Sequence, residues 1–272
     1  MIVSTSAVRA TSVVETLTCG IAAVGVVEAT VASLPALREA PGRPGGRQIP
    51  HRFLRYAEDQ SVVALAAVLK AFDEHRPPQI CCDDWGVLGA PRFHGRMAGS
   101  TVLHKYMQGG PATTSPHAIP QLSLHAVASA VSVALGMRGL NLGIGGGPEV
   151  LSEALAGAMS FLAQWQMPGL WLVCTEWNPE PIPDSRGANS IESICRGVAL
   201  ALVPSTGHDL SMRLTPGEPE RDEVHSTPKD TTLQLAELAH WLTSDPGWSQ
   251  SVGWSHDLPW GGRVEMLREA RL

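Results

Sequence analysis

The sequence is short of positive charge. It contains 20 Lys and Arg residues against 26 Asp and Glu residues, which gives a formal net charge of -6 and an isoelectric point near 5.9. Proteins that bind nucleic acids or anionic membranes concentrate Lys and Arg on one surface. The composition therefore argues against a nucleic-acid partner, although a small acidic carrier protein needs only a local basic patch.

Metal and membrane signatures are also missing. None of the five cysteines forms a CxxC pair or a Cys/His zinc spacing. No apolar run reaches the ~18 residues of a transmembrane helix, and the first sixteen residues lack the apolar segment of a secretory signal. We therefore expect reduced thiols, no metal, no cofactor, no membrane insertion and a cytoplasmic location.

Strand-like and helix-like segments alternate along the chain, which indicates a layered α/β sheet. Short apolar runs predict buried strands at 17–27, 79–88, 140–144, 170–175 and 194–203. Apolar positions that recur at three and four residues predict helices at 56–72, 93–107, 121–135 and 148–165. A segment rich in Pro and Gly predicts a loop at 35–50.

We expect three regions along the chain. Residues 1–16 form a flexible N-terminus, and residues 17–204 form the main α/β domain. Residues 205–272 form an irregular extension on that domain, with a surface loop at 206–229, one helix at 231–241 and a possible hairpin at 251–267. Four tryptophans crowd this extension, and both core packing and an interface role remain open for them: Trp241, Trp248, Trp254 and Trp260.

A glycine-rich turn follows the predicted strand at 140–144. Gly145, Gly146 and Gly147 precede Pro148, which is expected to start the next helix. Nucleotide binding is the first function to test here. The dinucleotide fingerprint requires glycine at its first, third and sixth positions, and counting from Gly143 the sixth position is Pro148. A phosphate-binding loop requires a Lys-Ser or Lys-Thr pair after the glycines, and none follows here. Both nucleotide motifs therefore fail.

The stretch from Ser115 to Ala128, the Leu-Gly-Met-Arg-Gly run from Leu135 to Gly139 and the glycine turn together resemble the N-terminal half of β-ketoacyl synthases. The resemblance is closest to the short ketosynthase-like proteins described as chain-length factors. It implies a thiolase-like α/β/α fold that corresponds mainly to the N-terminal half of a ketosynthase.

In that family a cysteine nucleophile occupies the turn where this chain has Pro148. Proline offers no thiol, and it has no N–H to serve as an oxyanion donor, the loss of which typically costs about 10²- to 10³-fold in rate. The family's two catalytic histidines also have no recognisable counterpart in this sequence. The resemblance thus implies a degenerate nucleophile turn formed by Gly145, Gly146, Gly147 and Pro148, and a chain that does not act as a ketosynthase by itself.

Other residues could carry chemistry on the same scaffold. His125 shares a helix face with Ser129 and Ser132, but no acidic residue lies between Asp84 and Glu149 to complete a triad. A packed core histidine is the competing interpretation. Cys174 lies in an apolar predicted strand and is a second weak candidate nucleophile.

The family's dimer interface runs beside the helix that follows the turn. By this resemblance Glu149, Glu153 and Leu172 are candidates for the interface or for an acyl tunnel. The two carboxylates also lie where they complement the helix dipole.

We therefore expect a non-catalytic, chain-length-factor-type subunit in fatty-acid, polyketide or aryl-polyene-like biosynthesis. It would pair with a ketosynthase subunit or with itself, and an acyl carrier protein is a further candidate partner. Two alternatives stay open: a divergent acyl-transfer or thioester-hydrolysing enzyme that uses His125 or Cys174, and an acyl-chain binding module.

Overall fold

The structure of the chain is a computed structural model that describes residues 15–39, 54–75, 83–116, 118–181, 192–204, 207–217, 234–244 and 252–268. Its strands are β1 (Leu17–Thr30), β2 (Gly86–Pro91), β3 (Asn141–Gly143), β4 (Leu170–Asn178), β5 (Ile194–Val203), β6 (Leu210–Thr215), β7 (Val252–Asp257) and β8 (Arg263–Arg268). Its helices are α1 (Leu34–Glu39), α2 (Asp59–His75), α3 (Arg96–Gly109), α4 (Ala118–Gln121), α5 (His125–Leu135), α6 (Val150–Gln164) and α7 (Leu235–Thr243).

The strands form one mixed sheet. Their order is β3-β2-β4-β5-β1-β6-β8-β7. β2 runs parallel to both β3 and β4, whereas the remaining neighbours pair antiparallel. The parallel end of the sheet therefore contains the elements that flank the glycine turn, with β3 at its edge.

Helices cover both faces of the sheet. On β4, Leu172 and Cys174 point into the core beneath α6 and α7, whereas Trp171 and Val173 point into the core beneath α2 and α5. Because both faces of β4 are covered, its sequence is an almost continuous apolar run. The sheet is thus the middle layer of an α/β/α arrangement, as the sequence predicts.

The C-terminal region is more regular than expected. β6 lies inside the predicted surface loop 206–229 and pairs with β1 and β8. Its buried residues Leu210, Met212 and Leu214 alternate with more accessible ones, as expected of a strand. The prolines and charged residues around β6 made this short alternation hard to recognise in the sequence. The predicted hairpin at 251–267 is confirmed as β7 and β8. These two strands extend the same sheet at its end.

Several element boundaries also differ from the expectation. α1 occupies the start of the predicted loop 35–50, and the strand expected at 79–88 is β2, which continues to Pro91. The helix expected at 121–135 is divided into α4 and α5, and α5 ends at Gly136 in the left-handed conformation, with φ of 70°. The flexible N-terminus stays a prediction, because residues 1–14 lie outside the described residues.

Candidate functional site

The glycine-rich turn joins β3 to α6 and is fixed to the neighbouring elements. Ile144 N donates to Gly89 O at 2.9 Å, and Phe93 N donates to Gly146 O at 3.1 Å. Gly145 and Gly146 have φ values of 74° and 108°, in the region that favours glycine. A side chain at either position would strain the turn. The glycines are therefore explained by backbone geometry, without a bound phosphate.

Pro148 is exposed and lies two residues before the first residue of α6. The expectation that Pro148 itself starts the helix is therefore wrong by two residues. Val150 N instead donates to Gly147 O at 3.4 Å, which closes the turn just ahead of the helix. The position still joins a strand to a buried helix, and the side chain there is a proline ring without a nucleophilic atom.

A small cavity lies beside this turn, where β2 and β4 end. Its volume is about 10 Å³, close to the minimum needed for one water molecule. It is lined by Ala90, Arg92, Pro148, Val150, Leu151, Cys174, Thr175, Glu176 and Leu235. The structure therefore brings Pro148 and Cys174 together, but the space between them is too small for an acyl chain.

Cys174 is buried in this cavity wall. Burial, with a smaller contribution from the negative charge of Glu176, raises the pKa of its thiol to about 12. Since the thiolate is the nucleophilic form of cysteine, Cys174 is almost entirely unreactive at neutral pH. Burial also raises the pKa of Cys19 to about 12 and that of Cys195 well above the ordinary value.

Glu176 is the buried acidic residue in the wall of this cavity. Its buried carboxylate accepts from Nη1 of Arg92 at 3.4 Å and from Nη1 of Arg196 at 3.2 Å. Nε of Arg196 also donates to Oε1 of Glu28 at 2.7 Å, at a more exposed position. A carboxylate this deeply buried requires compensation by charge and hydrogen bonds. The network therefore fixes the ends of β2, β4 and β5 around the cavity.

Sequence reasoning missed this network. A single Glu at the end of the apolar run 170–175 was a usable signal, because an acidic residue in a buried strand needs a partner. Arg92 follows β2 and Arg196 lies on β5, so only the order of the strands in the sheet brings them to Glu176.

His125 lies apart from the cavity. It is exposed at the first residue of α5, which packs on the face of the sheet opposite to Cys174. On the same helix the hydroxyl of Ser132 is buried and donates to Met137 O at 3.2 Å. The expected core position for His125 is therefore wrong, because the helix begins at this residue and its buried face starts at Val127.

The candidate interface residues occupy different environments. Glu149 is half-buried at the residue preceding α6, and Glu153 is exposed in the first turn of that helix. Leu172 has no exposed surface and packs in the core of the chain itself. An interface position for Leu172 is therefore incorrect, since α6 and α7 already cover it.

The tryptophans of the C-terminal region divide between the two roles. Trp241 and Trp254 pack against the core beneath α6 and α7. Trp260, in the turn between β7 and β8, is half exposed. Trp248 lies outside the described residues.

Two absences hold for the part of the chain that the structure describes. None of its helices has the length and apolar character required to cross a lipid bilayer. No cluster of three or more His, Cys, Asp or Glu side chains within it has the arrangement of a metal site.

No family model and no curated protein matches this sequence. Solved structures match through their fold. A β-ketoacyl synthase from Burkholderia phymatum superimposes with a TM-score of 0.50 at 16% identity, over 79% of this chain and 67% of that one. A ketosynthase in complex with its chain length factor from Xenorhabdus doucetiae gives a TM-score of 0.49 at 13% identity, over 74% of this chain.

The ishigamide ketosynthase/chain length factor is a third match, with a TM-score of 0.47 at 16% identity over 68% of this chain. The match covers 61% of the Xenorhabdus chain and 62% of the ishigamide chain. The superposition on the Burkholderia protein shows that this chain shares the α/β fold of that β-ketoacyl synthase, as the resemblance of its sequence implies.

Proposed function

We propose that this chain is a non-catalytic ketosynthase-like subunit of the chain-length-factor type, which acts in fatty-acid, polyketide or aryl-polyene-like biosynthesis. The observation that carries the proposal is Pro148, at the strand–turn–helix junction where the resembled family has its cysteine. A partner ketosynthase would supply the condensation chemistry, and this chain would help to shape the acyl tunnel.

The surroundings of Pro148 support a role without catalysis. The cavity beside it holds about 10 Å³, and the nearest thiol, Cys174, has a pKa of about 12. The cavity wall is occupied by the ion pair between Arg92 and Glu176. An acyl tunnel would therefore lie at a subunit contact, outside this cavity.

The partner is proposed to be a ketosynthase or a second copy of this chain, with an acyl carrier protein as a further candidate. The Xenorhabdus match is a ketosynthase in complex with its chain length factor. In this chain β3 is an edge strand with β2 as its neighbour, and edge strands present backbone groups that can pair with another chain. Val133, on the adjacent helix α5, is 64% exposed.

The association test compares two apolar-to-charged substitutions. Val133→Asp lies beside β3, whereas Trp260→Asp lies at the opposite edge of the sheet, and both residues are more than half exposed. Val133→Asp should weaken assembly about tenfold or more, measured by analytical ultracentrifugation of the chain alone and with a candidate ketosynthase partner. Trp260→Asp should leave it unchanged.

Three outcomes would contradict the proposal. One is a wild-type chain that remains a monomer at micromolar concentration and binds no ketosynthase. Another is condensation of acyl and malonyl carriers by this chain alone. The third is acylation at Cys174 or loss of thioester turnover on substitution of His125, which would favour the enzyme alternative. An isolated chain that retains acyl ligands in native mass spectrometry, without assembling, would favour the binding module.

A further inference from the structure

A second, larger cavity lies on the other face of the molecule, at the N-terminal end of α2. Its volume is about 370 Å³, within the usual range for small-molecule sites. One side is polar and contains Arg38, Glu58 and Asp59. Met97 and Val102 from α3 and Leu122 after α4 contribute apolar side chains to the wall, next to the polar Thr101 and Gln121. The cavity is thus shaped for a molecule with one polar end and one apolar end.

Glu58 is the buried polar group of this cavity. Its side chain is 5% exposed, and Oε2 accepts a hydrogen bond from Gln60 N at 2.7 Å. Burial, followed by the charge of Asp59, raises the pKa of this carboxyl to about 7. Asp59 in turn pairs with Arg38, whose Nη1 also donates to Leu54 O and Ala57 O at 2.9 and 2.6 Å. The Arg38 guanidinium is therefore bound to Asp59 and two carbonyl groups, and it acts on Glu58 only through its charge.

His94 is the other buried group that faces Glu58. Its Nε2 lies 3.0 Å from Gln121 O, and since a carbonyl only accepts, Nε2 carries the hydrogen. Nδ1 is then a lone-pair acceptor, 3.5 Å from Oε2 of Glu58, and it has no hydrogen-bond donor among the described residues. Burial lowers the pKa of His94, so the ring is neutral. When Glu58 is ionised, two acceptors therefore face each other and an N–H donor would stabilise this state, whereas a protonated Glu58 carboxyl is itself a donor towards Nδ1.

We propose that this cavity binds a small molecule with a protonated amine on an apolar body, with the ammonium group at Glu58 and the apolar body against Met97, Val102 and Leu122. Ammonium N–H groups would satisfy the carboxylate and balance the excess negative charge. Binding would release the proton that Glu58 otherwise holds near neutral pH, since a neighbouring positive charge favours the carboxylate. This inference is independent of the proposed partner subunit.

Binding should depend on pH through Glu58. The groups that face it are Arg38 from α1, Asp59 beside it, His94 after β2, and Cys195 on β5, whose thiol responds to the charge of Glu58. The raised pKa of Cys195 keeps that thiol protonated between pH 6 and 8. Glu58 is therefore the group that changes charge as the cavity becomes attractive to a cation.

The probe is hexylammonium, with hexanol and hexanoate as uncharged and anionic analogues, titrated calorimetrically into the purified full chain at pH 6 and pH 8. A carboxyl group with a pKa of about 7 is ionised about tenfold more at the higher pH, so the probe should bind about tenfold more tightly there. Glu58→Gln should bind the probe about tenfold more weakly at pH 8 and equally at both pH values.

Two variants complete the test. Glu74→Gln, at the exposed end of the same helix, is the matched control and should bind like the wild type. Ala98→Trp fills the cavity from α3 without removing Glu58 and should abolish binding, which keeps the proposal testable if Glu58→Gln does not fold. Equal binding of hexanol and hexylammonium, undiminished binding by Ala98→Trp, or no binding to the wild type at millimolar concentration would overturn it.

Discussion

The two cavities each contain a buried glutamate, but the partners of the two carboxyl groups differ. Glu176 lies beside the small cavity and contacts two guanidinium groups, from Arg92 and Arg196. Glu58 lies in the large cavity and faces the neutral ring of His94, while the nearby Arg38 is shared with Asp59. Arginine keeps its charge at every accessible pH, whereas the Glu58 carboxyl titrates near neutrality.

This difference separates a structural role from a ligand-responsive one. The Glu176 carboxylate is paired with two permanent cations beside a cavity of about 10 Å³. This cavity has no space for a ligand, and the carboxylate has no uncompensated charge to attract one. The Glu58 carboxyl group lies beside a cavity of about 370 Å³ and faces the neutral ring of His94. This cavity has space for a ligand, and the charge of an ionised Glu58 can attract one. The cavity beside the glycine turn is therefore small and its carboxylate is paired with cations, whereas the large cavity is open and its carboxyl group is incompletely compensated.

The largest effect on stability is expected when Glu176 is replaced. Replacing it by Gln leaves Arg92 without a carboxylate partner and Arg196 with Glu28 alone, and loss of one partner from a buried ion pair costs about 3–5 kcal/mol. We expect Glu176→Gln to lower the free energy of unfolding by about this amount in urea titrations. Glu28→Gln, in the exposed pair with Arg196, is the control and should cost less than about 1 kcal/mol. Equal losses would show that the burial of Glu176 does not make its ion pairs stronger than the exposed pair of Glu28.

The buried wall of the small cavity and its exposed edge can also be compared through the reactivity of two thiols, Cys174 and a cysteine introduced at Pro148. With a pKa of about 12, only about one Cys174 thiol in ten thousand is ionised at pH 8, against about a quarter of ordinary thiols. We expect the new thiol of Pro148→Cys to react with iodoacetamide about a thousandfold faster than Cys174, as measured by peptide mapping. Carbon–carbon bond formation should stay absent, since the histidines of the resembled family have no counterpart. Condensation by the variant would reveal a nearly intact enzyme.

The titration of Glu58 offers a third test. Its folded-state pKa of about 7 lies above the unfolded value of 4.5, so its stabilising contribution is complete below pH 4.5 and is lost as the pH rises to about 7. The difference corresponds to about 3 kcal/mol. Relative to Glu58→Gln, the wild type should therefore lose about that much stability between pH 4.5 and 7.5. Parallel stability profiles for the two proteins would contradict the raised pKa.

Regular patterns made most of the sheet predictable from the sequence. The apolar runs at 170–175 and 194–203 are β4 and β5, because strands covered on both faces need apolar residues at every position. β6 was missed, since three buried residues that alternate within a Pro-rich segment are a weak signal. The glycine turn was predictable because its conformation restricts the residue type.

The sites were less predictable than the fold. Pro148 and Cys174 were singled out by resemblance and by strand position, and the structure places them around one cavity. The pairing of Glu58 with His94 was not foreseen, because the sequence pattern places Glu58 in the predicted helix 56–72 and His94 in the predicted helix 93–107, with no signal that links them. Their proximity depends on how α2 packs across the sheet, which no local pattern encodes.

The smallest expected effect concerns the connection between the two regions. Oγ1 of Thr175, in the wall of the small cavity, donates to Oε1 of Gln60 at 2.8 Å. The backbone N–H of Gln60 donates to Glu58 at 2.7 Å, and its side-chain amide donates to Arg92 O at 3.1 Å. Gln60 therefore contacts residues of both cavities.

Thr175→Val preserves the shape of the side chain but removes the hydroxyl donor, so the buried carbonyl of the Gln60 side chain loses its partner. We expect a loss of about 1 kcal/mol in unfolding free energy, whereas Thr175→Ser, which keeps the hydroxyl, should cost less. Because Thr175 and Glu58 share Gln60, combining Thr175→Val with Glu58→Gln at pH 8 should deviate from additivity by about 0.5 kcal/mol or more. Strict additivity would mean that the closed cavity and the open one are energetically independent, and that Gln60 joins them in geometry alone.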